Sequence, residues 1–463
     1  MKAIGTKKWA ALLLTASAMV APAQARAETA REAELAARLE KLEAEMAAMR
    51  ADLSAARADQ AQTAQAVKDA TWTGQETATK VAALESKPQP EGMRVGDTTL
   101  KIGGYIKLVG TNTRFSDGEV ATNTLGRDFY LPQTIPTGGA HSSRVQDFTA
   151  KQSRFWLNLT TNIAGHTLKG YVETDFQTSA GTQGSQRTTN GYNLALRRAY
   201  VQFDKWTFGQ DWTTFQYVGA LPESTDYVGA TEGTVFVRQP MIRYSATLSP
   251  QVTLHMAVEE PEGATAASGS PTLVENGDDR MPDFAARLVW AGKPGELSLA
   301  GLVREVREES AGVSDQRLGW GVSAAGKIFL NPAKTGDVRF MLTYGTNIGR
   351  YVGLNFGPDA VLNAGQLGDV DVLAALGAVR VPLAPGLRIN LMGSFQTLNY
   401  ANSLPAVGLA SFNKRAWSGA ANLFWSPVKP VDLGVEYRHA ERKLVGGAQG
   451  ALDRLEFAAK YSF

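Results

Sequence analysis

From residue 91 to its end, the chain repeats a two-residue alternation of apolar and polar side chains in segments of about 8 to 14 residues. In one segment, Leu387, Ile389 and Leu391 alternate with Arg388 and Asn390. Side chains of a β-strand point alternately to its two faces, so each segment is predicted to be a strand with one apolar face. Helical periodicity is absent from this region, and glycine is frequent. The pattern therefore predicts an all-β fold.

Sixteen such segments occur, and the connections between them are alternately short and long. This arrangement predicts an antiparallel sheet whose two ends differ, as in transmembrane barrels with short periplasmic turns and long outer loops. Ten residues tilted by about 40° cover roughly 25 Å, the height of the apolar band of such a barrel. The long connections are predicted at 115–150, 178–193, 213–235, 260–281, 306–316, 346–370, 401–413 and 439–451.

The fold predicted for residues 91–463 is thus a sixteen-stranded antiparallel transmembrane β-barrel. The alternative is a soluble β-sandwich with ordinary core aromatics. Two features count against the sandwich: the even series of long strands, and a last strand that ends on Tyr461-Ser462-Phe463 with an apolar stripe. No apolar stretch of 18 residues follows residue 27, so a helical membrane protein is excluded.

The first 27 residues have the organisation of a secretory signal peptide. Lys2, Lys7 and Lys8 precede an apolar run, and small residues offer cleavage after Ala25 or Ala27. A transmembrane anchor is the alternative, but it needs about 20 apolar residues and this run is about a dozen long. The mature chain is therefore expected to be exported.

Residues 28–90 are predicted to form a periplasmic coiled-coil stem and linker. No glycine or proline interrupts residues 28–70, and apolar residues recur there with spacings of four and three. A stripe this narrow buries well only against copies of itself, although a single amphipathic helix on the chain's own domain is the alternative. The heptad leaves dimer and trimer open, and Pro88 and Pro90 end the helix. The predicted core residues are Leu35, Leu39, Leu42, Met46, Met49 and Leu53.

Composition excludes several classes of function. The 47 basic and 45 acidic residues nearly balance, so no nucleic-acid partner is expected. The chain has no cysteine, and its four histidines have no metal-ligand spacing, so neither a disulfide framework nor a metal site is predicted. Ser411 and Lys414 match one element of a penicillin-interacting site, but the companion Lys334-Thr335-Gly336 stands in the wrong order. No enzyme and no cofactor are predicted.

Several local features together resemble the DcaP family of outer-membrane porins. They are Gly103-Gly104-Tyr105-Ile106-Lys107-Leu108, Phe208-Gly209-Gln210-Asp211-Trp212-Thr213-Thr214-Phe215, Leu221-Pro222-Glu223 and Val235-Phe236-Val237-Arg238-Gln239-Pro240. The resemblance covers nearly the whole chain. It implies a signal peptide, a periplasmic coiled coil and a sixteen-stranded barrel that associates as a homotrimer. It also implies passive uptake of small, usually anionic solutes such as dicarboxylates, and such a barrel would contact outer-membrane lipid and lipopolysaccharide.

If the apolar stripes face lipid, more basic than acidic residues point inward. A basic wall lowers the barrier for anions, and the guanidinium fork suits carboxylates best. The alternative for each arginine is an ion pair with an inward acid that only supports the wall. The basic residues nearest to strand centres, which are predicted to line the pore, are Lys107, Arg154, Arg198, Arg243, Arg287 and Arg380.

The connection after the fifth strand, 213–234, is predicted to fold inward as the constriction. It carries Glu223, Asp226 and Glu232, and acids that face a basic wall would set up a transverse field across the pore. An exposed outer loop is the alternative. Two further functions stay open beside a porin: a non-conducting structural protein whose stem contacts a periplasmic partner, and a barrel hydrolase, which would need an aligned Ser-His pair at the rim.

Overall fold

The computed structural model describes residues 92–463, apart from residues 123, 178–188 and 311, and before them Arg38 alone. The predicted signal peptide, 1–27, lies outside the described residues. The same is true of the predicted stem and of its core residues Leu35, Leu39, Leu42, Met46, Met49 and Leu53. In the described residues, no helix is long and apolar enough to cross a membrane.

In the part of the chain that is described, sixteen long antiparallel strands form one sheet, which confirms the predicted strand number. The second strand consists of two segments separated by residues 150–153. The strands are β1 (Thr98–Phe115), β2 (Ser143–Thr149 and Arg154–Ile163), β3 (His166–Asp175), β4 (Ala195–Phe203), β5 (Trp206–Trp212), β6 (Arg238–Ser249), β7 (Val252–Glu259), β8 (Asp283–Gly292), β9 (Gly295–Ser310), β10 (Val313–Phe329), β11 (Asp337–Thr346), β12 (Gln366–Ala384), β13 (Leu387–Tyr400), β14 (Asn413–Val428), β15 (Val431–Leu444) and β16 (Gln449–Ser462).

The sheet closes on itself between its first and last strands. The β1–β16 ladder runs from Tyr105 opposite Ser462 to Phe115 opposite Leu452. Beyond it, the backbone N–H of Phe463 donates to the carbonyl of Gly104 at 3.0 Å. Closure leaves no strand edge with unpaired backbone groups. A bilayer requires such closure because lipid supplies no hydrogen-bond partner.

The two faces of each strand differ as the alternation predicts. On β16, Leu455, Phe457 and Tyr461 point outward and are exposed, whereas Arg454 and Glu456 point into the barrel and are buried. Apolar side chains on the outside and charged ones on the inside are typical of a barrel whose outer surface contacts lipid.

The connections are alternately short and long with two exceptions. Connections predicted to be long at 306–316 and 439–451 are wrong, because the strands themselves continue there. The β9–β10 ladder extends to Ser310 opposite Val313, and β15–β16 pairing extends to Lys443 opposite Gln449. Both stretches are polar because they lie outside the apolar band, although their backbones are hydrogen-bonded as strands. Composition alone therefore does not distinguish them from loops.

Short elements lie in the long connections and before β1. The 3-10 helices are Pro132–Thr134, Val218–Ala220, Thr231–Gly233 and Gly349–Tyr351, and the helices are α1 (Leu125–Asp128) and α2 (Ala406–Leu409). The short strands are Met93–Val95, Ala264–Ala267, Val274–Glu275 and Ala360–Asn363. The strands Ala264–Ala267 and Ala360–Asn363 pair in parallel, so two of the long connections are joined to each other.

The largest buried apolar cluster lies inside the barrel and not between two sheets. Phe215, Val235, Tyr351 and Val352 are fully buried in it. Val235 and Val352 form an isolated antiparallel bridge, and the rings of Phe215 and Tyr351 meet edge to face at 6.0 Å. The loops 213–237 and 347–365 therefore pack against each other within the lumen.

Candidate functional site

The loop 213–237, named the inward loop below, turns into the barrel directly after β5. Thr213 and Thr214 are fully buried, and both donate to the carboxylate of Glu259, each at 2.6 Å. From the wall, Arg243 Nε donates to the Thr214 hydroxyl at 2.8 Å, and Arg287 Nη1 donates to the Thr214 carbonyl at 3.1 Å. The predicted inward course of this loop therefore agrees with the structure.

The inward loop crosses the lumen and is fixed to the opposite strands. Glu223 accepts from Arg388 of β13 at 2.5 and 2.8 Å. The carbonyl of Thr225 accepts from Lys107 Nζ of β1 at 2.5 Å, and Lys107 also donates to Gln152 at 2.6 Å. Because these partners stand on β1 and β13, the loop divides the interior of the barrel.

A second loop, 116–142, interlocks with the first through Tyr130, which is fully buried. Its backbone N–H donates to Asp226 Oδ1 at 2.7 Å, its hydroxyl donates to Glu232, and its carbonyl accepts from the Thr231 hydroxyl at 3.1 Å. The guanidinium of Arg438 lies 4.8 Å from the centre of its ring. The loops 116–142 and 347–365 thus narrow the lumen together with the inward loop, whereas only one such loop was predicted.

The acids of the inward loop do not form the charged face that was predicted. Asp226 is only 5% exposed and Glu232 is fully buried. Asp226 accepts from the backbone N–H groups of Val228 and Gly229 at 2.9 and 3.0 Å. Glu223 is neutralised by Arg388. A loop that leaves water must satisfy its own polar groups, and these carboxylates serve that purpose.

The buried carboxylate of Glu232 has hydrogen-bond donors on both of its oxygens. Its Oε2 accepts from the hydroxyls of Ser394 at 2.6 Å and Ser418 at 2.9 Å, in addition to the Tyr130 hydroxyl on Oε1. Burial raises the pKa of Glu232 above its usual range, and these hydrogen bonds partly offset that effect. The residue therefore joins the inward loop to β13 and β14.

The side of the lumen formed by β2 to β8 carries a cluster of arginines that we name the arginine wall. It comprises six arginines of the even-numbered strands β2 to β8: five point inward, and Arg238, the first residue of β6, lies against the Trp212 ring. The six are Arg154 of β2, Arg197 and Arg198 of β4, Arg238 and Arg243 of β6, and Arg287 of β8.

Four of these arginines are paired with carboxylates of the wall. Arg197 contacts Glu173 at 2.7 Å and Asp175 at 2.5 Å. Arg198 and Arg243 share Asp211, at 2.6 and 2.9 Å respectively. A carboxylate shared by two guanidiniums balances only one of them, so the ladder stays positively charged.

Arg154 is the fourth paired arginine, and it is held loosely. Its nitrogens lie 3.7 Å from Glu173 and 3.5 Å from Asp175, and its side chain is one-fifth exposed. Its guanidinium also lies 5.5 Å from the centre of the Tyr105 ring. These distances are longer than those of a tight ion pair, so Arg154 can still donate hydrogen bonds to another carboxylate.

Arg238 and Arg287 have no carboxylate within 4.0 Å among the described residues. Arg287 donates only to backbone carbonyls of the inward loop, and Arg238 lies 5.1 Å from the centre of the Trp212 ring. The six guanidiniums face four carboxylates, so the wall carries an excess of two positive charges. The four are Glu173, Asp175, Asp211 and Glu259.

Arg197 was missed by sequence analysis, and the reason is a β-bulge. Opposite β3, the register shifts between Glu173 and Thr174, so Glu173 faces Arg198 while Thr174 faces Leu196. Strict alternation would point Arg197 at lipid, but the extra residue turns it inward beside Arg198. The only local signal was the pair of consecutive arginines. In a regular strand they would point to opposite faces, so one of the two cations would enter the apolar band.

The residues predicted to line the pore all point inward, but they fall into three groups. Arg154, Arg198, Arg243 and Arg287 belong to the arginine wall. Lys107 is only 8% exposed and fastens the tip of the inward loop. Arg380 lies opposite Asp337 beside the short turn 330–336, where it pairs with that carboxylate at 3.1 Å. The expectation that Arg380 lies near a strand centre is therefore wrong, since β12 is 19 residues long.

Aromatic rings complete the site around the tip of the inward loop. The Tyr227 hydroxyl accepts from Arg197 and donates to Asp175. Arg198 stands 4.7 Å from the Tyr171 ring centre and 5.4 Å from that of Tyr200. Rings hold the guanidinium planes without neutralising them, so the arrangement can present positive charge to a passing solute.

The DcaP outer membrane protein family matches residues 101–463 of this chain. Among solved structures, the outer membrane channel DcaP of Acinetobacter baumannii is similar at 24% identity and a TM-score of 0.67, over 81% of this chain and 100% of that chain. OmpT of Vibrio cholerae, an outer membrane protein, is similar at 10% identity and a TM-score of 0.51, over 81% and 100%. Both likenesses concern the fold. Among curated protein sequences, none matches this chain.

Proposed function

The chain belongs to the DcaP family of outer membrane proteins, and from that premise we propose that it is a porin for passive diffusion of small, preferentially anionic solutes such as dicarboxylates. The observation that carries the anionic preference is the arginine wall, with its two guanidiniums that have no carboxylate partner. Fixed donors that replace part of a solute's hydration shell lower its barrier to passage, and they do so only for the matching sign of charge.

The geometry of the wall supports carboxylates in particular. Guanidinium groups donate two parallel hydrogen bonds to one carboxylate, and the wall offers them at several heights from Arg238 down to Arg287. A solute with two carboxylates can engage a second arginine before it releases the first, which keeps the free-energy barrier of each step low. The dicarboxylate class itself rests on the family resemblance.

The proposal extends to assembly and location. Residues 1–27 direct export and are removed, the barrel inserts into the outer membrane, and residues 28–90 remain in the periplasm as a coiled-coil stem. Three copies associate as a homotrimer, which the narrow heptad stripe and the family resemblance support. Lipid and lipopolysaccharide surround the barrel, and the stem contacts a periplasmic partner.

The test is planar-bilayer recording of the purified mature protein, with the reversal potential measured in a salt gradient and succinate added as a blocker. We expect stepwise currents in multiples of three, anion selectivity and block by succinate. Substitution Arg287→Gln lowers the selectivity without breaking an ion pair, and Arg144→Gln on the outward face of β2 serves as the matched control. A channel of equal selectivity in the Arg287→Gln variant would contradict the role of the wall, and the absence of current would favour a closed structural barrel.

A further inference from the structure

A second binding site is indicated on the long-loop side of the barrel. A cavity of about 400 Å³ lies where four long connections meet at the beginning of β6. Its lining includes Leu131 of the loop 116–142, Phe236 of the inward loop, Glu262 of the connection 260–282 and Leu354 of the loop 347–365. Pockets for small ligands have volumes of about 300–1,000 Å³, so one small solute fits here.

Two lining residues of opposite charge lack partners. Nη1 of Arg238 and Oε1 of Glu262 are buried atoms without a hydrogen bond, and neither residue forms an ion pair among the described residues. The other arginine of the cavity is already used, since Arg350 donates to the Glu262 carbonyl at 3.0 Å and to Gln239. A buried polar atom without a hydrogen bond is costly, so both groups are suited to a ligand that carries the complementary charges.

The rest of the lining combines apolar side chains with the polar residues Gln133, Glu275 and Asn355. Leu131 is 5% exposed and packs in one cluster with Phe129 and Val228, against which Phe236 and Leu354 also pack. The Phe236 ring meets the Trp212 ring edge to face at 4.7 Å. These apolar side chains offer contact to the hydrocarbon body of a ligand.

We propose that this cavity binds a small zwitterion with an apolar body, such as an α-amino acid with an aliphatic side chain. Its carboxylate engages Arg238, its ammonium group engages Glu262, and its side chain packs on Leu131, Phe236 and Leu354. This goes beyond the passage of anions, because a plain anion would leave Glu262 unmatched and repelled.

The cavity and the arginine wall share Arg238, and the Trp212 ring lies beside both. The Trp212 ring has the guanidinium of Arg238 at 5.1 Å from its centre and that of Arg197 at 5.8 Å. Arg197 is itself paired and only 2% exposed, so a carboxylate released from Arg238 passes to the wall arginines that stay about one-fifth exposed, Arg154 and Arg198. The cavity is a capture site from which the ligand passes to the wall.

The test compares three probes of one shape by calorimetric titration of the full mature protein in detergent. They are L-leucine, 4-methylpentanoate, which lacks the ammonium group, and isopentylamine, which lacks the carboxylate. We expect leucine to bind at least about tenfold more tightly than either of the others, because only leucine matches both charges. Equal affinity for leucine and 4-methylpentanoate would overturn the proposal and leave a simple anion site, and heat from none of the probes would overturn it as well.

Two variants locate the site. Glu262→Gln should lower the affinity for leucine to that for 4-methylpentanoate while binding of 4-methylpentanoate is kept or improved, and Arg238→Gln should abolish binding of both. Arg144→Gln is the control and should change neither. If a variant fails to fold, the comparison of probes on the unaltered protein still decides. Reversal potentials from the same preparations separate the two proposals: a selective channel without leucine binding refutes only the capture site, and leucine binding in a non-selective channel refutes only the anion porin.

Discussion

The hydroxyl of Tyr227, at the tip of the inward loop, donates a hydrogen bond of 3.0 Å to Oδ2 of Asp175 on β3. The same hydroxyl accepts from Arg197. The loop that leaves the wall after β5 thus returns to the wall at β3 and β4, so the position of the inward loop depends on a few polar contacts as well as on apolar packing.

Removing this hydroxyl should loosen the loop. Tyr227→Phe loses the hydrogen bond donated to Asp175 and the one accepted from Arg197, together worth about 1–2 kcal/mol, so displaced states of the loop tip become about five- to thirtyfold more populated. We expect larger open-channel current noise in single-channel recordings with little change in stability, because the ring stays packed near Phe129 and Phe236. Phe236→Leu, which keeps the hydroxyl contact, is the comparison, and equal noise in Tyr227→Phe and the unaltered protein would show that packing alone holds the tip.

Arg287 offers the most direct test of selectivity, since among the described residues it has no carboxylate partner that the substitution would leave unpaired. We expect Arg287→Gln to lower the chloride-to-potassium permeability ratio by about two- to threefold, as expected for the loss of one fixed charge near the path. The reversal potential in a tenfold salt gradient measures it. An effect of this size in the outward Arg144→Gln variant would mean that the overall charge and not the wall sets selectivity.

Arg304 of β9 is expected to be structural. It is fully buried, with Asp359 at 2.8 Å and Asp283 at 3.4 Å. Arg304→Gln leaves two buried carboxylates without their cation, and breaking such a buried pair costs about 3–5 kcal/mol. We expect a lower unfolding midpoint in urea, followed by tryptophan fluorescence, and partial recovery in the double variant Arg304→Gln with Asp359→Asn. A midpoint that the double variant lowers further would argue against this assignment.

The connection 260–282 should be more stable at acidic pH. Burial raises the pKa of Asp279 to about 6, although Arg304 at 3.9 Å and the backbone N–H of Arg307 at 2.8 Å act in the opposite direction. An acid whose pKa is higher in the folded state binds its proton more tightly there, so stability rises as pH falls through 6 and levels off below its unfolded value of about 4. Hydrogen exchange around residue 279, corrected for intrinsic rates, should be slower at pH 5 than at pH 7.5. Asp279→Asn should remove most of that difference.

If the predicted coiled-coil stem holds the oligomer together, a charge in its core should weaken assembly. An aspartate at Leu42 places a charge in the predicted coiled-coil core, so Leu42→Asp should lower the temperature at which the full-length oligomer dissociates in detergent gels. Glu43→Gln, at a flanking position, should leave it nearly unchanged. Equal dissociation temperatures for the two variants would mean that the barrel alone holds the oligomer together.

Several elements follow from local pattern alone. The alternation in β13 and β16 determines which side chains point inward, because a strand exposes successive residues to opposite faces whatever its neighbours are. Short turns such as 204–205 are also local, since Asp204 adopts a positive φ of 47° that a two-residue hairpin needs. The strand number was predictable for the same reason, whereas the inward course of the loop after β5 was expected from the habit of sixteen-stranded barrels and not from any local pattern.

Other features depended on contacts distant in sequence. The strands β9 and β10 extend past the predicted loop because their polar edges pair with each other, and Arg197 turns inward because of a register shift against β3. The acids Asp226 and Glu232 bind Tyr130, a residue about a hundred positions earlier. No periodicity encodes such pairings.

The sequence by itself therefore determined the class of fold, the strand number and the facing of most charged residues, because these follow from short-range backbone geometry and the contrast between lipid and water. Only the tertiary structure decided which charges stay unpaired. In the described part of the chain, Arg287 and Arg238 are left without a carboxylate while Glu223, Asp226 and Glu232 are neutralised or buried. This depends on how three loops fold into the lumen and which groups they bring within hydrogen-bond distance.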